Sequence, residues 1–294
     1  MKVLNFGSLN LDYVYSVDHM VMAGETLASE GMNIFCGGKG LNQSIALAKA
    51  GVPVYHAGIV GEDGQALLET CKKRGVNASF IRQNPGKSGH TIIQVDRNGQ
   101  NCILLYGGTN RSVTKEYVDE VLGRFGPGDI LLLQNEVNLV DYMIERAYEK
   151  GMMIIMNPSP FDSALDRCDL SKVSLFLMNE IEGWQITGER EADQILKRLR
   201  QLYPNAKAVL TLGQEGSVYQ DNENQYRQGI FRVKAVDTTA AGDTFTGYFI
   251  ASIIEGMPVP EGLALAARAS AIAVSRDGAA DSIPEKAEVL RSSS

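Results

Sequence analysis

The sequence predicts an α/β protein with a mostly parallel central sheet, helices on both faces and a small separate β-sheet. Three observations carry this expectation. From residue 113 onward, short apolar runs alternate with helix-like stretches, which is the pattern of a parallel sheet covered on both sides. Residues 11–35 break that pattern, mixing apolar and polar positions around Gly24 and Gly31, and read as two or three exposed strands. Apolar residues make up 44% of the 294 and charged residues 21%, so a sizeable core is available and wholesale disorder is excluded. No internal repeat, low-complexity stretch or interdomain linker divides the chain, and one domain over 1–294 is expected.

Taken in order, residues 3–6 form a short buried strand that Gly7-Ser8 ends. Gly37-Gly38-Lys39-Gly40 turns the chain into a helix over 41–50. Its Leu41, Ile45, Leu47 and Ala48 fall mostly at helical spacing, and Gly51 closes it. A strand follows over 54–60, then a helix over 65–74 stopped by Gly75. The runs 91–95 and 102–106 flank Asn98-Gly99, a strong hairpin signal, and join 11–35 in the small sheet. Beyond them come strand 130–133, helix 140–150, strands 152–156 and 175–178, helix 191–202, strand 208–212, and helices 243–255 and 260–275. The tail 291–294 is expected to fray.

Charge and cysteine use narrow the function classes. Lys and Arg number 28 against 35 Asp and Glu, a net charge of −7, which disfavours nucleic-acid or anionic-membrane binding. Any anionic ligand must then be held by local groups. Cys36, Cys71, Cys102 and Cys168 contain no CxxC pair and do not suggest a disulfide framework. His19, His56 and His90 are scattered, so no His/Cys metal cluster is expected. The apolar run after Met1 breaks too early for a signal peptide. No stretch approaches the roughly 18 apolar residues of a membrane span. A cytoplasmic protein is expected.

Four short blocks carry chemistry. The strongest is Asp237-Thr238-Thr239-Ala240-Ala241-Gly242-Asp243-Thr244-Phe245, where small residues fill a turn at a helix start. Bare N–H groups there form an anion site. A carboxylate beside such a site makes sense where it takes a proton from an attacking hydroxyl while the N–H groups hold a phosphoryl group. The plainer alternative is an Asp N-cap. The second block, Gly37-Gly38-Lys39-Gly40-Leu41-Asn42, lets a ligand approach the backbone and supplies Lys39 and Asn42. Its alternative is a flexible turn with a solvated lysine. Thr211-Leu212-Gly213-Gln214-Glu215-Gly216 follows a strand and is either a nucleotide-lining turn or a hairpin turn. Asn179 and Glu182, three apart after another strand, either face a metal–phosphate complex or cap a helix. Neither GxxxxGK[ST] nor a GxGxxG after a strand occurs, which disfavours a P-loop and a Rossmann dinucleotide site.

In combination, order and separation, these blocks resemble the ribokinase-like (pfkB) family of sugar and nucleoside kinases over nearly the whole chain. Gly7-Ser8-Leu9-Asn10-Leu11-Asp12 matches the sugar-binding stretch of the ribose-phosphorylating members. Gly24-Glu25-Thr26 matches their turn, with Ala23 where a proline is usual. Asn157-Pro158-Ser159-Pro160 is similar to their Asn-Pro-Ala-Pro. The resemblance implies ATP-dependent phosphorylation of a sugar, with the 5-hydroxyl of ribose as acceptor. Asn10, Asp12, Gly38, Lys39, Gly40, Asn42 and Glu136 would hold the sugar. Asp243 would be the general base, and the N–H groups of Ala240, Ala241, Gly242 and Asp243 would stabilise the phosphoryl group. Asn179, Thr211, Leu212, Gly213, Gln214, Glu215, Gly216 and Gly242 would serve ATP, and Glu182 its Mg²⁺. Asp237, Thr239, Ala273, Arg276, Gly278 and Ser282 would surround an activating K⁺. The small sheet would be a lid over the sugar and pair two subunits into a homodimer. Two rivals stay open. One is a kinase of this fold acting on another sugar or a nucleoside, for which Tyr13, Tyr15 and Phe35 offer aromatic surface. The other is a non-catalytic sugar-binding protein, against which Asp243 and its turn argue.

Overall fold

In the computed structural model, which describes residues 1–292, the chain opens on strand β1 (Val3–Phe6). It then crosses to a second sheet as β2 (Asn10–Ser16) and β3 (Gly31–Gly37). It returns through α1 (Lys39–Lys49), β4 (Val54–Val60), α2 (Gln65–Lys73) and β5 (Asn77–Gln83), and revisits the second sheet as β6 (Gly89–Val95) and β7 (Asn101–Tyr106). The middle of the chain runs α3 (Lys115–Leu122), β8 (Ile130–Gln134), α4 (Val140–Glu149), β9 (Met153–Asn157), β10 (Leu175–Asn179), α5 (Glu180–Thr187), α6 (Ala192–Leu202) and β11 (Lys207–Thr211). It closes with β12 (Ser217–Gln220), β13 (Gln225–Gln228), α7 (Ala241–Ile254), α8 (Val259–Val274), α9 (Ala279–Ser282) and α10 (Lys286–Arg291).

The large sheet has the order β13-β12-β11-β10-β9-β8-β1-β4-β5. It is parallel from β11 to β5 and ends in the antiparallel hairpin β12–β13. Alternate residues of its strands feed two cores. Val3, Leu175 and Leu177 join the core under α1, α2, α7 and α8, while Leu4, Phe6, Phe176 and Met178 join the one under α3, α4 and α6. The near-continuous apolar strands thus follow from burial on both faces.

The second sheet has the order β3-β2-β6-β7. Residues 11–35 supply two strands, and the expectation of exposure fails at one end: Leu11 and Asp12, with Asn10 before them, are buried, where β2 is covered by the Gly37-Gly38 turn, Asn110 and Thr91. The Asn98-Gly99 hairpin is present, its turn held by the Asp96 carboxylate accepting from the N–H groups of Asn98 and Gln100. α1 begins at Lys39, two residues ahead of expectation. After α8 the chain turns and becomes helical again from Ala279, so Ser282 of the expected cation set lies in α9. Of the tail, Arg291 ends α10 and Ser292 caps it; Ser293 and Ser294 lie outside the described residues.

α1 and α7 position the site. Asn42 and Gln43 face Asp243, and one turn further along both helices Ala46 faces Gly247. Equal steps along both helices mean that they run parallel, with their N-termini at the same end. A Cβ on Gly247 would lie 2.4 Å from the Ala46 Cβ and 2.8 Å from the Leu47 nitrogen, so only glycine permits this approach.

Candidate active site

The site begins where α1 seats on the turn after β1. A Cβ on Gly40 would lie 2.4 Å from the Ser8 nitrogen and 2.6 Å from the Gly7 carbonyl carbon. The Leu41 N–H donates to the Ser8 carbonyl at 3.0 Å, and the Gly40 N–H donates to Ser8 Oγ at 3.2 Å. Gly38, the N-cap, has φ of 93°, a conformation that glycine adopts without strain. Glu136 closes this corner, accepting from the Lys39 N–H at 3.0 Å and from the Ser8 hydroxyl.

β2 brings Asn10 and Asp12 to the same place. Asn10 Oδ1 accepts from Asn110 Nδ2 at 2.7 Å. Asp12 Oδ1 accepts from the Thr91 hydroxyl at 2.6 Å, a contact made by the parallel pairing of β2 with β6. Burial pushes the Asp12 carboxyl up to about 6, with the Glu136 charge adding to the rise and the Thr91 hydrogen bond opposing it.

Asp243 sits in the first turn of α7, but the N-cap is Ala240 and no side chain caps the helix. The capping alternative is therefore excluded, and the carboxylate faces α1 instead. Its Oδ2 accepts from Asn42 Nδ2 at 3.1 Å and its Oδ1 from Gln43 Nε2 at 2.9 Å. The residue is 5% exposed. Burial raises its pKa, opposed by the Lys39 charge and the two amide donors. Burial works against the Lys39 charge, but the carboxylates of Asp243, Glu136 and Glu182 outweigh it and hold its pKa above the usual value. Asn42 Oδ1 is buried without a hydrogen-bond partner, an acceptor left for a ligand. Of the N–H groups at the α7 start, that of Ala241 donates to the Thr238 carbonyl at 3.2 Å and so departs from the expected anion-binding set. Those of Gly242 and Asp243 belong to the donors that a helix start leaves without intrahelical partners. A Cβ on Gly242 would meet nothing within 4 Å, so the backbone there is open to a ligand.

On the other side of this turn lies a mostly apolar cavity of about 790 Å³, within the roughly 300–1,000 Å³ of small-ligand sites. Thr211, Gly213, Gln214 and Gly216 line it together with Ala241, Gly242 and Phe245 of α7. Leu212 and Glu215 do not: Leu212 packs on the core, and Glu215 ends a single helical turn between β11 and β12. The Thr211–Gly216 block is thus both a turn between antiparallel strands and part of the cavity wall. Ile230, Phe231 and Val233 add to the wall, in a stretch without periodicity that the sequence did not single out, and Ala267, Ala271 and Val274 of α8 line it as well.

Asn179 and Glu182 form a reciprocal capping box. The Asn179 N–H donates to Glu182 Oε2 and the Glu182 N–H to Asn179 Oδ1, both at 2.9 Å. The capping alternative is what the geometry displays, and neither residue lines the cavity. The buried Glu182 carboxylate nevertheless raises the pKa of both Lys39 and Asp243. Asp237 Oδ1 accepts from the Thr239 N–H at 2.9 Å and from its hydroxyl, and Oδ2 accepts from the Gly278 N–H at 3.1 Å. This carboxylate therefore ties the 237–239 turn to the loop after α8. The Ala273 carbonyl accepts from the Arg276 N–H at 3.1 Å. The Arg276 guanidinium is turned away to Glu288, and the Ser282 hydroxyl to the Ala279 carbonyl, so neither side chain joins Asp237. Among the described residues, no group of three or more His, Cys, Asp or Glu is arranged to hold a metal ion.

Ser8, Gln43, Thr91 and Asn110 complete the polar shell and were not singled out in the sequence. Two of them had a local signal, Ser8 inside the Gly7–Asp12 stretch and Gln43 next to Asn42 at the end of the glycine-rich block. Residues 1–286 match the profile described as pfkB family carbohydrate kinase. The ribokinase of Schizosaccharomyces pombe is 34% identical over 308 aligned positions, covering 98% of this chain and 96% of that protein. The deoxyribokinase of Salmonella typhi is 30% identical, with 97% and 96% covered. In three dimensions the chain is similar to the ribokinase of Arabidopsis thaliana complexed with ribose and ATP, with a TM-score of 0.88, 28% identity, and 99% of this chain and 97% of that one covered.

Proposed function

Because the chain belongs to the pfkB family of carbohydrate kinases, we propose that it transfers the γ-phosphoryl group of ATP to the 5-hydroxyl of ribose. One observation carries the reading: a buried carboxylate, Asp243, held by amide donors of α1, stands at the open helix start where a mostly apolar cavity ends. ATP occupies that cavity, with its base against Ile230, Phe231 and Phe245 and its phosphates at the α7 turn. Ribose lies between β2 and α1, its hydroxyls paired by Asn10, Asp12, Lys39, Asn42 and Glu136. Asp243 accepts the proton of the attacking hydroxyl as the new O–P bond forms and the bond from the γ-phosphorus to the bridging oxygen breaks to release ADP, and proton acceptance of this kind contributes about 10²–10⁴-fold. The N–H groups of Gly242 and Asp243 and the helix dipole meet the charge of the transferring group. Lys39 keeps the centre from excess negative charge.

Two carboxylates, Glu182 and Asp237, support a reading of where the ions that such a reaction uses would be held. Mg²⁺ is commonly held by one or two carboxylates together with substrate phosphates and water. Glu182, buried and acting on both Lys39 and Asp243, would hold it in that way, and the ion would neutralise phosphate charge. Asp237, which joins the two loops flanking the α7 turn, would hold a monovalent cation with backbone carbonyls of the loop after α8. Its effect would be to brace the N–H groups. The second sheet would serve as the lid, with the face that carries Asp12 toward the sugar. Its other face carries the row Ile34–Tyr13–Ile92–Leu104, in which Tyr13 is half-buried and the other three are exposed, and would pair two subunits.

The deoxyribokinase relative makes deoxyribose the rival sugar. The buried polar set at Asn10 and Asp12 supports ribose, since a missing hydroxyl leaves such groups unpaired. A coupled ADP-release assay over ribose, deoxyribose, hexoses and nucleosides tests the reading. ADP release is expected to require sugar, to be fastest per KM with ribose, and to rise when K⁺ replaces Na⁺ at constant ionic strength. A tenfold preference for deoxyribose, a hexose or a nucleoside, about 1.4 kcal/mol, would overturn the assignment to ribose.

A further inference from the structure

We propose that Gln43 is the positioning residue of Asp243, and that two lines of side-chain amides, each ending on a backbone carbonyl, fix which end of Gln43 faces it. The inference rests on the reading of Asp243 as the proton acceptor.

The orientation follows from donors and acceptors alone. A backbone carbonyl can only accept, so Asn5 turns its NH₂ to the Gly40 carbonyl, at 2.7 Å, and the same NH₂ reaches Ser44 Oγ at 2.9 Å. Asn5 Oδ1 is left to accept, and takes a proton from Gln134 Nε2 at 3.0 Å. The other proton of Gln134 Nε2 goes to Gln43 Oε1 at 2.6 Å. Gln43 therefore has its oxygen committed, and its NH₂ must point the other way, to Asp243 Oδ1 at 2.9 Å. The second line agrees. Asn157 gives its NH₂ to the Leu177 carbonyl at 2.7 Å, which leaves Asn157 Oδ1 facing Gln43 Nε2 at 3.5 Å. A flipped Gln43 would set its oxygen against both the Asp243 carboxylate and Asn157 Oδ1.

Asn5, Gln43 and Gln134 are completely buried, so water does not substitute for any of these bonds. Gln134 Oε1 has no hydrogen-bond partner, which means that Gln134 is set to donate twice even though its own oxygen stays unpaired. An unpaired buried oxygen is costly, and orienting Gln43 gives it a reason. Asn42 holds the second oxygen of Asp243, so both carboxylate oxygens are clamped and rotation about the last side-chain bond is blocked. The charged groups around Asp243 are Lys39 from α1, Glu136 after β8 and Glu182 from α5. Against this background, loss of the Gln43 donor moves the carboxyl pKa further up.

The test uses the full chain with ribose and ATP, comparing wild type with Gln43→Met, Gln134→Met and Asp243→Asn. Single-turnover phosphoryl-transfer rates are read between about pH 5 and 9, and ribose affinity by calorimetry. Gln43→Met is expected to lose about 10- to 100-fold in rate and to move the acidic limb up by about one pH unit, the size set by one hydrogen bond to a charged group. Ribose affinity should stay within about twofold of wild type. Gln134→Met should move the limb in the same direction by less, and it carries the test alone if Gln43→Met fails to fold. A packing role alone predicts lower thermal stability with an unmoved limb, and that result in both variants overturns the proposal. If Asp243→Asn keeps its rate, the reading of Asp243 itself fails. If Asp243→Asn is inactive while Gln43→Met matches wild type in rate and limb, only the present inference fails.

Discussion

Asp243 and Asp12 are buried carboxylates of one site with different surroundings. Two amide donors and the Lys39 charge offset the burial of Asp243, whereas Asp12 has one hydroxyl donor, Thr91, and the Glu136 charge adds to its rise. Asp243→Asn keeps the shape and the neighbours but cannot take a proton. It should lose about 10²–10⁴-fold in turnover while ribose affinity by calorimetry changes little; retention of more than about a tenth of wild-type kcat would remove it from the reaction. For Asp12 the sign is worked from its raised pKa. Between 3.8 and about 6 the folded protein holds a proton that the unfolded chain has lost, so the stability Asp12 contributes at low pH is lost as pH rises through about 6. Asp12→Asn should therefore stabilise the sugar-free protein, with a gain that grows between pH 4 and 8 toward about 3 kcal/mol for a shift of about two units. It should weaken ribose binding at the same time. Urea unfolding at the two pH values checks this, and an equal gain at both would show that the Asp12 carboxyl is not raised.

The pairing of α1 with α7 brings residues some 200 positions apart into one site. Gly247 sets the distance between these helices. Gly247→Val should cost about 1–3 kcal/mol by overpacking and reduce kcat more than the sugar KM, because it moves Asn42 and Gln43 relative to Asp243. Unchanged stability would mean that α1 is free to shift. The elements that the sequence made legible are those with strong period or punctuation: β4, α6 and α8 by their apolar pattern, and the hairpin by Asn98-Gly99. β5 was hidden because it is a largely polar edge strand, with only Ala78, Phe80 and Ile81 partly buried. β12 and β13 are four residues each, too short to show a period. In the site, Asp243, Asn42 and the Thr211–Gly216 turn were legible because their glycines and carboxylates are locally unusual. Thr91 and Asn110 were not, since nothing local marks residues whose roles arise from the β2–β6 pairing and from the helical turn after β7 that meets Leu9 and Asn10. Asn5 lies inside the first expected strand and Gln134 just after the one at 130–133, and nothing local marks either.

At the scale of the molecule, both faces of the second sheet carry exposed apolar residues, Ile103 and Leu105 on the face of Asp12 and Leu104 on the other. Asp12 and Thr91 lie side by side on one, and Ile34, Tyr13, Ile92 and Leu104 form a row across the other. Ile34, Ile92 and Leu104 are 53%, 40% and 67% exposed, and a contiguous exposed apolar face of this kind marks an interaction surface. The protein is expected to sediment as a dimer, and Leu104→Lys to shift it toward monomer while leaving the large-sheet core intact; a monomeric wild type at micromolar concentration would contradict the pairing. On the proposed reading the two sheets serve one reaction, the large sheet with α1 and α7 holding the acceptor carboxylate and the phosphoryl site, the small one closing over the sugar. The most direct test of this account is phosphorus NMR of the products formed from ribose and ATP. The account predicts one new phosphate monoester, on the 5-hydroxyl, appearing in step with ADP. Inorganic phosphate in its place, or a monoester on another hydroxyl, would contradict it.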